Sequence, residues 1–123
     1  MLQKTILIIE DSNDLIESLE DMLKIKGYKT LTSTEGKIGL DLALKENPDL
    51  ILLDLRLPDI SGVQVMMELR KDSWGKNAKV LIITASDVNE KIVNDLGVKA
   101  GDIIHKANSG IADLIKRIEK ELD

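Results

Sequence analysis

The chain contains no cysteine, which excludes a disulfide framework and a thiolate metal site and suits a cytoplasmic setting. No apolar run is long enough to cross a bilayer, so membrane insertion is not expected. The opening residues, MLQKTILIIED, turn acidic too early for a secretory signal. Positive charge is also short: 17 lysines and arginines face 22 aspartates and glutamates, a formal net charge of -5. No Lys/Arg stripe is available to displace counterions from phosphates, which argues against direct nucleic-acid binding.

What is present reads as one folded domain over residues 1–123. Hydrophobic residues make up 43% and charged residues 32%, a balance that supports a buried core and not a disordered chain. At this length one substantial core is attainable.

Two textures alternate along the chain. Short β-branched runs stand at TILII (5 to 9), LIL (50 to 52) and VLIIT (80 to 84), with weaker ones at YKTLTS (28 to 33) and DIIHK (102 to 106). Between them, apolar residues recur three and four apart, as on one face of a helix. The first such segment groups Leu15, Ile16, Leu19, Met22 and Leu23, with Gly27 placed to end it. The second carries Ile38, Leu40, Leu42 and Leu44 and stops before Asn47-Pro48, because proline cannot continue a helix. The third runs from about 63 to 70 and the fourth from about 88 to 96, before Gly97. The fifth, from Ser109, sets Ile111, Leu114, Ile115, Ile118 and Leu122 on one face.

Five strand–helix units in alternation predict an α/β protein with a parallel sheet covered on both faces. In such sheets the functional crevice lies beyond the carboxyl ends of the strands, where strand order reverses. Those ends are acidic and polar here. Strand one ends in Glu10-Asp11, strand three in Asp54, strand four in Thr84 and strand five in Lys106. If strands one and three are neighbours, three carboxylates converge on one pocket, tolerable at neutral pH only with a proton or a cation among them. Hard carboxylate oxygens suit Mg²⁺. A hydroxyl from Thr84 and an ammonium from Lys106 add contacts for anionic oxygens, the equipment of phosphoryl transfer.

Together these residues resemble the receiver domain of two-component response regulators, the CheY-like group. The resemblance spans essentially the whole chain and rests on Glu10-Asp11, on DLRLPDISG from Asp54 to Gly62, on Thr84-Ala85 and on Lys106. It implies a doubly wound (βα)5 fold of the flavodoxin/CheY type with strand order 2-1-3-4-5. It implies that Asp54 accepts a phosphoryl group from a histidine kinase or a histidine phosphotransfer protein. Asp11, Asp54 and the backbone carbonyl of Arg56 would bind Mg²⁺, with Glu10 acting through water. Thr84 and Lys106 would contact the phosphoryl oxygens. Such a domain is a phosphoacceptor with autodephosphorylation, not a conventional enzyme, and it signals to a protein target by direct contact.

Rival chemistries fail on particular residues. STEGKI (33 to 38) has Leu31 where a phosphate loop needs its first glycine and Ile38 where it needs Ser/Thr. A flavodoxin needs a phosphate-accepting loop after strand one, and EDSND is acidic. A haloacid-dehalogenase-type phosphatase needs an aspartate two positions after its nucleophile, where Arg56 stands. A receiver-like scaffold that is never phosphorylated is the remaining alternative, and retention of all five site residues argues against it.

Two positions depart from the family. Lys106 is followed by Ala107 and not by proline, so the bond between them is expected to be trans. The switch position three residues before the lysine, usually aromatic, is Ile103. The lone His105 is expected to alternate with Lys106 and face the other way, in a structural role. Lys99, Lys116, Arg117 and Lys120 read as solvated positions, and Met66 and Met67 as packing residues. Whether the domain stands alone, relays a phosphoryl group or belongs to a longer hybrid protein is left open by these motifs.

Overall fold

The apolar runs become five strands: β1 (Thr5–Ile9), β2 (Lys29–Ser33), β3 (Leu50–Asp54), β4 (Val80–Thr84) and β5 (Ile103–His105). The structure, a computed structural model, describes residues 3–85 and 87–123. All four strand pairings are parallel and the order is β2-β1-β3-β4-β5. Five helices connect and follow the strands: α1 (Asn13–Ile25), α2 (Gly36–Glu46), α3 (Gly62–Lys71), α4 (Glu90–Leu96) and α5 (Ile111–Leu122). Short 3-10 turns lie at Gly75–Asn77, Ala100–Asp102 and Lys106–Asn108.

Local chemistry sets the helix ends. Ser12 accepts a hydrogen bond from the Leu15 N–H at 3.3 Å and caps α1. Ser61 and Gln64 form a reciprocal capping box at the start of α3. Asn47 takes a left-handed conformation at the end of α2, immediately before Pro48.

The alternation of side chains along each strand divides the core into two layers. Ile6, Ile8, Leu50, Leu52, Leu81 and Ile83 pack against α1 and α5. Leu7, Ile9, Ile51, Leu53, Val80, Ile82 and Ile103 pack on the other face with residues of α2, α3 and α4. β1, β3 and β4 lie inside the sheet and are apolar on both faces for that reason.

α2 departs from the expected packing. Its leucines and isoleucine do not form the buried stripe; Gly36, Gly39 and Ala43 do, while Ile38 is 51% exposed and Leu44 36%. The reason is close approach: a Cβ on Gly39 would lie 2.7 Å from the Ile9 side chain. Small residues let this helix sit against the sheet, Leu40 and Leu42 pack half-buried beside them, and Ile38 and Leu44 turn outward.

Three smaller expectations also change. Met66 is buried as expected, but Met67 is 53% exposed on the outer side of α3. Arg117 is no solvated side chain: it donates to the Gly101 carbonyl at 2.6 Å and to Asp102 and Glu121 at 3.1 and 2.9 Å, tying α5 to the turn before β5. β5 ends at His105, and Lys106 already belongs to the following 3-10 turn, so strand alternation does not relate their side chains. No helix among the described residues is long and apolar enough to cross a membrane.

Candidate functional site

β1 leads through α1 to β2 on one side, whereas β3 pairs with β1 on the other, and the chain order reverses between β1 and β3. In sheets of this kind, functional residues gather at the carboxyl ends beside such a reversal. The β1–β3 register pairs Ile9 with Leu53, which brings the next residues, Glu10 and Asp54, together at the carboxyl edge of the sheet. Glu10, Asp11 and Asp54 each offer a carboxylate oxygen, and these oxygens lie within 4.8 Å of one another.

Their surroundings differ sharply. Glu10 is fully buried and Asp54 3% exposed, while Asp11 lies open to solvent. Lys106 reaches across from the end of β5 to Glu10 at 2.5 Å and to Asp54 at 3.3 Å. The second oxygen of Glu10 accepts from the Ser12 N–H at 3.0 Å, and Asp54 Oδ1 accepts from the Arg56 N–H at 3.1 Å. Burial pushes the Glu10 carboxyl up to about 7 from 4.5, against the pull of Lys106 and the Ser12 amide. Burial alone would lower the Lys106 ammonium, but its pairing with Glu10 and Asp54 raises it above its ordinary value. The cluster is short of positive charge, and one ammonium does not relieve it fully.

Thr84 ends β4, fully buried, and pairs in register with His105. The strand ends thus assemble Glu10, Asp11, Asp54 and Lys106 into one cluster and set Thr84 at the end of the neighbouring strand. Arg56 sits in the loop after β3, its own N–H turned to Asp54. Ile103 is buried in the layer shared with α3 and α4. The Lys106–Ala107 bond is trans, as expected, since no cis peptide occurs among the described residues. Lys106 reaches Asp54 with alanine in the position after it.

Two residues assigned no individual role from sequence alone shape the site. Gly62 starts α3 so close to β3 that a Cβ there would lie 2.5 Å from the Asp54 carbonyl oxygen. Its N–H donates to the Leu55 carbonyl at 2.9 Å and closes the loop. Asp59 accepts from the N–H groups of Gly36 at 2.7 Å and Lys37 at 2.9 Å, at the start of α2. Chiefly the Lys37 N–H, with that of Gly36, holds the Asp59 carboxyl down at about 2. Both residues lie in the LPDISG segment, but the contacts that give them a role come from other elements.

Residues 6–119 match the family of response regulator receiver domains. The polar-differentiation response regulator DivK of Brucella ovis is 35% identical over 82 residues, which is 67% of each chain. A CheY-like response regulator receiver domain protein from Methanospirillum hungatei JF-1 superposes with a TM-score of 0.86 at 26% identity, covering 99% of this chain and 95% of that one. The chemotaxis response regulator CheY4 of Vibrio cholerae superposes at 0.85 with 20% identity, covering 98% and 99%, a likeness of fold.

Proposed function

The chain belongs to the response regulator receiver domain family of two-component signalling, and from that membership we propose that Asp54 is its phosphoacceptor. The observation that carries the assignment is the convergence of Glu10, Asp11, Asp54 and Lys106 at the switch point of the sheet. The donor is a phosphohistidine on a histidine kinase or a histidine phosphotransfer protein. An Asp54 carboxylate oxygen attacks the phosphorus; the new P–O bond forms as the P–N bond breaks, and the imidazole departs. Lys106 shifts from its carboxylate partners to the phosphoryl oxygens, and the Thr84 hydroxyl donates to them from the end of β4.

The donor set fits Mg²⁺. Three hard carboxylates with mutually close oxygens surround a point where negative charge is in excess, and burial has already raised Glu10 toward neutral pH. Asp11, Asp54 and the Arg56 carbonyl would hold the ion, with Glu10 reaching it through water. When bound, the ion supplies charge neutralisation for the transferring phosphoryl group.

The acyl phosphate then alters the surface seen by a protein target, and its hydrolysis resets the domain. Incubation with acetyl phosphate and Mg²⁺, followed by intact-mass measurement, tests the assignment. Wild type should gain one phosphoryl group and Asp54→Asn none, with the fold of the variant intact by circular dichroism. Stoichiometric labelling of Asp54→Asn would remove Asp54 from its role.

A further inference from the structure

Helix α2 begins without a cap of its own. Glu35 occupies the N-cap position in an extended conformation, yet its side chain makes no capping hydrogen bond. The first amide groups of a helix need acceptors, and its N-terminus favours negative charge. Here the acceptor arrives from more than twenty residues away: the two oxygens of Asp59 take the Gly36 and Lys37 N–H groups separately, at 2.7 and 2.9 Å.

Asp59 lies in the loop between Asp54 and α3, and the same loop presents the Arg56 carbonyl. That loop is anchored at one end by Gly62, bonded to the Leu55 carbonyl and pressed against Asp54. At its far side the Ile60 and Leu57 side chains lie against Gly36, where an added Cβ would meet them at 2.7 and 3.2 Å. The start of α2 is itself joined to the other half of the site. Ser33 bonds through its hydroxyl to both the Glu35 N–H and the Glu35 carbonyl, and its own carbonyl accepts from the Glu10 N–H at 3.0 Å. Contacts therefore run from Asp59 through Gly36, Glu35 and Ser33 to Glu10.

We propose that Asp59 is a positioning residue for the phosphoacceptor site, tying the loop that carries the Arg56 carbonyl to the β1 end that carries Glu10 and Asp11. The proposal rests on the reading of Asp54 given above. A helix cap alone would stabilise α2 and leave the cation site indifferent. A tether holds the ligands on β1 and on the β3 loop at a fixed separation, so its loss weakens cation binding even when α2 is stable.

The two roles separate in three proteins: wild type, Asp59→Ala, and the double variant Glu35→Ser/Asp59→Ala. The double variant supplies α2 with a local cap at a position whose backbone is already suitable. Mg²⁺ affinity is measured by calorimetry, and amide hydrogen exchange over residues 56–62 is followed without metal. Asp59→Ala should weaken Mg²⁺ binding about tenfold or more, the range seen when groups that orient a metal's ligands are removed. Exchange over residues 56–62 should quicken. Recapping by Glu35→Ser should raise the melting temperature while both defects persist. Asp59→Asn, which keeps one acceptor oxygen, should fall between wild type and Asp59→Ala, and it serves if the alanine variant fails to fold. Wild-type Mg²⁺ affinity in Asp59→Ala, or affinity regained on recapping, overturns the tether. Failure of wild type itself to bind Mg²⁺ or to be phosphorylated would instead overturn the reading of Asp54, and this proposal with it.

Discussion

Glu10 is held under tension by its surroundings. It is fully buried, and its carboxyl is raised from 4.5 to about 7 chiefly by burial. Between those two values the native metal-free protein holds a proton that the unfolded chain has released. Stability therefore falls as pH rises through that window, by an amount on the order of 1–3 kcal/mol. Urea denaturation at a series of pH values in chelator should show this decline, and Glu10→Gln should flatten it. Asp11 contributes to the same tension from the exposed side of the cluster. Asp11→Ala should raise the melting temperature of the metal-free protein, because it removes one of three mutually repelling carboxylates. Millimolar Mg²⁺ at pH 7 should raise the melting temperature of wild type by mass action and leave that of Asp11→Ala nearly unchanged. Differential scanning calorimetry reads both effects, and a wild-type transition indifferent to Mg²⁺ would count against a cation site built on these carboxylates.

At the scale of elements, α2 carries the clearest lesson. Its buried stripe is Gly36, Gly39 and Ala43, and the side chain of Ile9 fills the space where a Gly39 Cβ would go. Gly39→Ala should destabilise the protein by about 1–3 kcal/mol, the usual consequence of overpacking, despite the better helix propensity of alanine. Ile38→Ala, on the exposed side, should change stability by no more than about 0.5 kcal/mol. Chemical denaturation compares the two directly. The reverse ranking would mean that α2 is rotated about its axis from the orientation described here.

At the scale of the whole molecule the question is how far a phosphoryl group at Asp54 is felt. A ligand shifts a conformational equilibrium only through contacts that differ between its two states. Ile103, at the position where receivers usually carry an aromatic switch, is buried in the layer formed with α3 and α4. It is stiff about its first side-chain torsion and has no hydroxyl to bond the strand-four loop. Beyond it, Arg117 holds α5 to Gly101 and Asp102, so β5 and α5 are bound together near the opposite end of the strand from Lys106. Phosphorylation should therefore move mainly the loops after β3 and β4. Amide NMR shifts with and without beryllofluoride should concentrate there. Large concerted shifts throughout residues 100 to 122 would show that another residue has taken over the switch.

The sequence by itself determined the alternation of five strands and five helices and the residues at the strand ends. Short β-branched apolar runs such as residues 5 to 9 and 80 to 84, alternating with helical periodicity, suit strands covered on both faces. Polar residues that terminate such runs must stand at the carboxyl edge of the sheet, so Glu10, Asp54 and Thr84 could be named without coordinates. Tertiary structure decided what depends on distance between elements. The outward turn of Ile38 follows from how closely α2 approaches Ile9, and the clamp of Arg117 and the place of Lys106 beyond β5 depend on which elements meet in space. The bond from Asp59 to the start of α2 belongs to the same class, because its partners lie 22 and 23 residues away. Local pattern carries no record of such separations. Residue type and periodicity constrain which face a side chain takes, and only packing determines what meets it there.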